Sequence, residues 1–163
     1  MNIASIDLSF IWAFVILIGI AVYIVADGFD LGVGILLPFI KNDATQDEFI
    51  DTVAAVWDGN ETWLILGGAA LMGAFPLAYA IIFEAFTIPI VVMLFALILR
   101  GVAFEFRVHS PKGHKRIWTW SFIIGSYVAT LMQGMMAGAF LEGFVVNIVP
   151  EGSHFAGNQW DWV

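Results

Sequence analysis

Apolar residues along the chain fall into four long blocks rather than alternating or recurring in short amphipathic patches. The blocks span residues 8–40, 52–75, 77–106 and 117–140. About 20 consecutive apolar residues in a helix cross the hydrocarbon core of a bilayer, and each block reaches that length. A membrane β-barrel would instead show segments of about ten residues with alternating hydrophobicity, separated by turn residues. The pattern therefore predicts an all-α chain: an integral membrane four-helix bundle over residues 1–142, followed by an external tail over residues 143–163. Pro38 is expected to close the first helix, because proline lacks the backbone N–H that a helix interior needs. Residues 1–10 carry no positive charge, and no small-residue cleavage site follows the first apolar run. The first block is therefore read as a retained helix, not a cleaved signal.

Composition agrees with this reading and narrows it. Of 163 residues, 61% are hydrophobic and only 12% are charged, about half the charge of an ordinary soluble domain. So much apolar surface excludes intrinsic disorder. Six Lys and Arg against fourteen Asp and Glu exclude a nucleic-acid partner. There is no cysteine, so disulfides, thiolate metal sites and cysteine nucleophiles are excluded as well. The few basic residues set the topology. Lys41 falls between the first and second blocks, and Arg107, Lys112, Lys115 and Arg116 fall between the third and fourth. Four crossings place those two connections on one side, which the positive-inside rule makes cytoplasmic. The N-terminus is then periplasmic, with the turn near Pro76 and the acidic tail (Glu142, Glu151, Asp161) on the same outer side. Trp160 and Trp162 are expected as interfacial anchors. The tail reads as the approach to a further element.

The informative residues are the charges inside the apolar blocks. A charge at mid-membrane costs at least ~2.5–3.5 kcal/mol, so it usually meets a partner, a cavity or a proton route. Asp27 and Asp30 lie in Ala26-Asp27-Gly28-Phe29-Asp30-Leu31-Gly32-Val33-Gly34, three residues apart and hence on one helical face. Asp30 is eleven residues from Lys41, about 16 Å along a helix at ~1.5 Å per residue. The competing reading ends the helix near Asp27 and puts Asp30 in a loop, but the following run is too apolar for a solvated loop. Trp57-Asp58-Gly59-Asn60-Glu61-Thr62-Trp63 opens the second block and offers Asp58 and Glu61, again three apart. An interfacial tryptophan belt with acids complementing the helix dipole accounts for Trp57 and Asp58, less well for Asn60 and Glu61. Arg100 lies about 10 Å of helix before Arg107. It either snorkels to the interface or pairs with one of Asp30, Asp58 and Glu61. Glu84 stands in the outer half of the third block. Burial and neighbouring charge tune a carboxyl group, and a chain of such acids from the cytoplasmic face inward is what a proton relay needs. Gly28 with Gly32, and Gly134 with Gly138, are spaced for close helix packing.

His109, His114 and His154 all fall outside the apolar blocks, whereas a haem held in a helix bundle needs an axial ligand such as His or Met projecting from a helix. The methionines inside the blocks are packing residues by default. No metal site and no bound cofactor are expected on this chain. It contains no phosphate loop, dinucleotide fingerprint or Ser-His-Asp set.

Three motifs now carry a resemblance: Asp27-Gly28-Phe29-Asp30-Leu31-Gly32-Val33-Gly34, the Trp57–Trp63 heptapeptide, and Arg100-Gly101-Val102-Ala103-Phe104-Glu105-Phe106-Arg107. In order and spacing the sequence resembles subunit II of the cytochrome bd quinol oxidases, in particular their cyanide-insensitive branch. That subunit has eight helices in two four-helix halves, and this chain resembles the N-terminal half. The resemblance implies a non-haem subunit of a quinol:oxygen oxidoreductase of aerobic respiration in the bacterial inner membrane. Its partner, subunit I, would carry the quinol site, two haems b and one haem d. Small single-helix subunits and membrane lipid are further implied partners. Residues matching Asp58 and its neighbours Glu61, Asp27 and Asp30 would deliver protons, Trp63 would border an oxygen route, and Arg100 and Asp30 would support the haem site. One departure stands out: some members carry an acid where this chain reads Trp118-Thr119-Trp120. Two other classes compete. A four-helix unit with buried acids could be half of a proton-coupled transporter, or an assembly scaffold whose charges only lock helices together.

Overall fold

The computed structural model describes residues 7–111, 114–143, 146–149, 152–155 and 157. Lys112, Glu151, Trp160, Asp161 and Trp162 lie outside the described residues. Among the described residues, six α-helices form the body: α1 (Leu8–Leu36), α2 (Asp43–Ala54), α3 (Trp57–Ala74), α4 (Pro76–Ala85), α5 (Thr87–His109) and α6 (Lys115–Glu142). A small antiparallel hairpin, β1 (Val146–Val149) with β2 (Gly152–Phe155), follows α6 and is the exception to the all-α expectation. Among the described residues, three helical stretches are long and apolar enough to cross a membrane: Leu8–Phe39, Thr87–His109 and Lys115–Glu142. The second block falls short as a span, because α3 spends its first turn on Asp58, Asn60 and Glu61.

The blocks break where local chemistry breaks them. α1 ends at Leu36 and passes into a short 3-10 turn, Leu37–Phe39, that contains Pro38. The acidic stretch before the second block is a helix of its own. Asn42 caps α2 by accepting from the Ala44 N–H at 2.9 Å, and Gln46 donates from Nε2 to the carbonyls of Ile40 at 2.6 Å and Leu37 at 3.3 Å. Those two bonds staple α2 to the end of α1. Ile50 and Val53 on its inner face then enter the core beside Leu37, Phe104 and Phe122. The third block also divides. Pro89 cannot donate to the carbonyl four residues back, so the helix stops at Ala85 and restarts at Thr87. Thr87 Oγ1 donates to the Phe83 carbonyl at 2.6 Å, satisfying a group freed by the break.

α1 packs on α3 and α6, and α5 packs on α6 along its length. The close approaches fall at Gly34, Gly101 and Gly125. A Cβ on Gly125 would lie 2.6 Å from the Ala96 carbonyl oxygen and 3.2 Å from the Arg100 backbone nitrogen, and one on Gly101 would strike the Trp57 ring at 2.9 Å. The expected packing glycines Gly28, Gly32, Gly134 and Gly138 meet nothing within 4 Å. Within this chain, helix closure therefore occurs elsewhere than the GxxxG spacing predicted. The outer surface is apolar: Phe10, Val25 and Leu141 are 75%, 76% and 87% exposed. Such a surface suits lipid or an apolar partner and not water.

Candidate functional site

At the centre of the bundle the side chains are charged. Asp27, Asp30 and Arg100 are each 0% exposed, although they belong to the two most hydropathic helices. α1 contributes Asp27 and Asp30 on one face, with Tyr23 one turn before Asp27. The first turn of α3 contributes Asn60 and Glu61, and α5 contributes Arg100. Arg100 Nη2 donates to Asp27 Oδ1 at 2.6 Å and to Glu61 Oε2 at 2.9 Å. Asn60 Nδ2 donates to Asp30 Oδ2 at 2.9 Å and, at 3.4 Å, to the Ala26 carbonyl. Gln133 of α6 donates from Nε2 to the Tyr23 hydroxyl at 2.7 Å. Side chains of α1, α3, α5 and α6 thus meet in a polar group enclosed by apolar residues such as Leu31, Met93, Leu97 and Met132. Glu61, with 22% of its side chain exposed, gives this group an edge at the surface.

The local folding explains the partner choice. Helical side chains lean toward the N-terminus of their own helix. α5 runs toward the Lys- and Arg-rich end, so Arg100 leans away from that end, and α1 places Asp27 one turn farther from it than Asp30. Arg100 therefore reaches Asp27, which was not among the three carboxylates the sequence offered it, and of those three it pairs with Glu61 and not with Asp30 or Asp58. Asp30 takes the Asn60 amide instead. Gly125 permits this arrangement by letting the α6 backbone pass directly over Arg100. Three carboxylates face a single guanidinium. Asp27 Oδ2, Asp30 Oδ1 and Arg100 Nε and Nη1 have no hydrogen-bond partner among the described residues, which leaves the group unused capacity for both accepting and donating.

Two other expected site residues stand apart. Asp58 lies on the exposed side of the first turn of α3, with no ion pair among the described residues. Trp63 is 37% exposed on the outside of that helix. Trp57 is half-buried, and its ring packs on Phe104 with centroids 5.4 Å apart. Tyr23 and Gln133 were missed from sequence. The signal for Tyr23 was its four-residue spacing before Asp27; Gln133 had none.

A second charged group closes the basic end. Arg107 Nε donates to Thr119 Oγ1 at 3.1 Å, its Nη2 pairs with Asp47, and Lys115 Nζ reaches Asp47 Oδ2 at 3.5 Å. The hydrogen bond from Arg107 holds the Asp47 carboxyl below the usual carboxylate range, against an opposing effect of burial and with added help from the charges of Arg107 and Lys115. These contacts join the α1–α2 connection to the α5–α6 connection, so the two basic loops do share one end of the molecule. His109 is 73% exposed along its side chain and His114 is exposed. Neither projects into the bundle.

Residues 8–163 match the family described as cytochrome bd terminal oxidase subunit II. The chain belongs to this family. Among curated relatives, it is 37% identical to the cytochrome bd-I ubiquinol oxidase subunit 2 of Escherichia coli K12 over 143 residues, covering 86% of this chain and 38% of the relative. It is 38% identical to a probable cytochrome oxidase subunit 2 of Haemophilus influenzae over 139 residues, covering 83% of this chain and 36% of the relative. It is 36% identical to the cytochrome bd ubiquinol oxidase subunit 2 of Bacillus subtilis over 144 residues, covering 86% of this chain and 41% of the relative. The matched region is thus well under half the length of these relatives. In this family member, the three motifs noted in the sequence supply the ion pairs of the central group, from the Asp27–Gly34 segment, the first turn of α3 and Arg100 of α5, and contribute Arg107 to the second group.

Proposed function

We propose that the chain serves as the non-haem subunit of a cytochrome bd-type quinol:oxygen oxidoreductase, with its four apolar blocks forming one four-helix half of an eight-helix subunit. The observation that carries this reading is the Arg100–Asp27–Glu61 group, fully buried at Arg100 and Asp27, in a family member with an apolar exterior. Among the described residues, no group of three or more His, Cys, Asp and Glu could hold a metal ion, and the two described histidine side chains point away from the bundle. The proposal therefore assigns haem b, haem d and the quinol site to a partner subunit I.

The proposed role of the chain's own residues is to hold and pass protons. Asp58 stands at the entrance on the basic, cytoplasmic end. Glu61 bridges surface and interior, and Asp27 and Asp30 lie within. Three acids gather around one guanidinium, and these are the side chains proposed to carry protons inward. Arg100 fixes the geometry of Asp27 and Glu61 and supports the neighbouring haem site through the packing of α5, and Trp63 borders an oxygen route. The N-terminus is periplasmic in this reading, and the bundle stands in the bacterial inner membrane with small single-helix subunits at its margin. Affinity purification on a tag carried by this chain, followed by a reduced-minus-oxidised spectrum, tests the assignment. Haem b and haem d bands that co-purify support it. A haem-free preparation from cells that assemble the oxidase would refute it.

A further inference from the structure

Beneath the Asp47 group, at the basic end, lies a cavity of about 520 Å³ between the α1–α2 connection and the first turns of α6. Its charged lining is Asp43, Asp47, Arg107, Lys115 and Arg116, and Trp120 forms part of its wall. Three cations against two carboxylates leave one net positive charge. Asp47 is engaged by both Arg107 and Lys115, whereas no ion pair among the described residues engages Arg116 or Asp43. α6 begins here without a capping side chain, so its first N–H groups face the same end as Lys115 and Arg116. Trp120 is 47% exposed, the position and residue type found where a bilayer meets water. Next to it the apolar flank of α6 begins.

We propose that this cavity seats the phosphodiester headgroup of an anionic membrane phospholipid. Arg116 and Lys115 would meet the phosphate, the wall formed by Arg107 and Thr119 would be held rigid by Asp47, and the acyl chains would run along Trp120 and the outer face of α6. A single net positive charge matches a monoanionic phosphodiester, and basic pockets at the cytoplasmic end of membrane helices bind such headgroups. Asp43 opposes the anion, which gives the site a built-in control. The proposal rests on the reading that this end lies at the cytoplasmic headgroup level.

The test uses the purified complex in nanodiscs of phosphatidylcholine with and without phosphatidylglycerol, and native mass spectrometry after mild detergent extraction to count retained lipid. Phosphatidylglycerol should be retained selectively. Arg116→Gln should weaken retention about fivefold, and Arg116→Gln with Lys115→Gln about thirtyfold, from the usual contribution of a basic residue near an anionic surface. Asp43→Asn should strengthen it. Arg116 makes no ion pair among the described residues, so its variant keeps the test valid if the double variant fails to assemble. Equal retention of both lipids, or retention unmoved by Arg116→Gln and Asp43→Asn, overturns the proposal. So does inorganic phosphate in detergent that competes as well as the lipid, since the site would then take a free anion. A complex that cannot be reconstituted into nanodiscs at all would overturn the membrane reading itself, a failure distinguishable from loss of lipid preference.

Discussion

Arg100→Gln is the sharpest perturbation of the buried group. The substitution removes the only cation among Asp27, Asp30 and Glu61, and with it two charge-assisted bonds of 2.6 and 2.9 Å. Arg100 and Asp27 are fully buried, so solvent cannot take over the lost interaction. Removing one partner of a buried pair typically costs about 3–5 kcal/mol, because the remaining charge stays desolvated without compensation. That is about two to three and a half decades in the folding equilibrium. Asp27→Asn should cost less, about 1–3 kcal/mol, since Arg100 keeps Glu61. The double variant should then fall short of the sum of the singles by about 1–3 kcal/mol, the signature of residues that share an interaction. Thermal or denaturant unfolding in detergent micelles, followed by tryptophan fluorescence, reads all three. Equal costs for Arg100→Gln and Asp27→Asn, or a double variant additive to within ~0.5 kcal/mol, would show that Arg100 does not hold the group together.

Three further outcomes follow from the geometry. Gly125→Ala would push a Cβ to 2.6 Å from the Ala96 carbonyl oxygen and should destabilise the fold by about 1–3 kcal/mol, whereas Gly134→Ala, with nothing within 4 Å, should be neutral or slightly stabilising; the same unfolding assay compares them, and equal effects would contradict the packing described. Glu61→Gln should slow quinol-driven oxygen uptake by the assembled oxidase while leaving the haem spectrum intact, and unchanged turnover would remove Glu61 from the proton route. Asp47 has a folded pKa lowered chiefly by its bond from Arg107, so its contribution is fully present above the unfolded value of about 3.9 and is lost as pH falls through the lower folded value; because Asp47 is 40% exposed, that contribution is at most about 1 kcal/mol, and Asp47→Asn should flatten the acid limb of stability against pH below about 4, a wild-type-like acid limb in the variant contradicting the pairing.

The sequence made the long helices, the Pro38 boundary and the shared end of the two basic connections legible, because run length, proline and loop charge act locally. Burial of Asp27, Asp30 and Arg100 was legible for the same reason, since the residues around them are too apolar for a solvated loop. The partner of Arg100 was not. Choosing Asp27 over Asp30 depends on the shared direction and relative height of α1 and α5 and on the lean of an arginine side chain, which are tertiary facts. The break at Phe86 was missed because Ile82, Ile90 and their neighbours keep the apolar run continuous across Pro89. The close approach at Gly125 was not legible either, because GxxxG spacing describes a helix face without saying what approaches it. Gly125 has no such spacing, yet it is the position where two backbones meet. α2 was not legible as a helix because its apolar stripe is narrow: Ile50 and Val53 are its two buried residues.

The weakness of α3 as a span and its place in the site have one cause. Asp58, Asn60 and Glu61 lower the apolarity of its first turn, so hydropathy alone does not hold that turn within the bundle. What holds it is specific: Glu61 accepts from Arg100, Asn60 donates to Asp30, and Trp57 fills the space that Gly101 leaves open. Each of these contacts crosses to α1 or α5. The N-terminal turn of α3 is therefore docked only once those two helices are in place, and the charged group forms in the same step. An apolar replacement of this turn would make α3 a better membrane span by composition, but it would strand Arg100 with Asp27 alone and leave Asp30 without its amide. The polar turn thus carries the contacts that join α3 to the charged group.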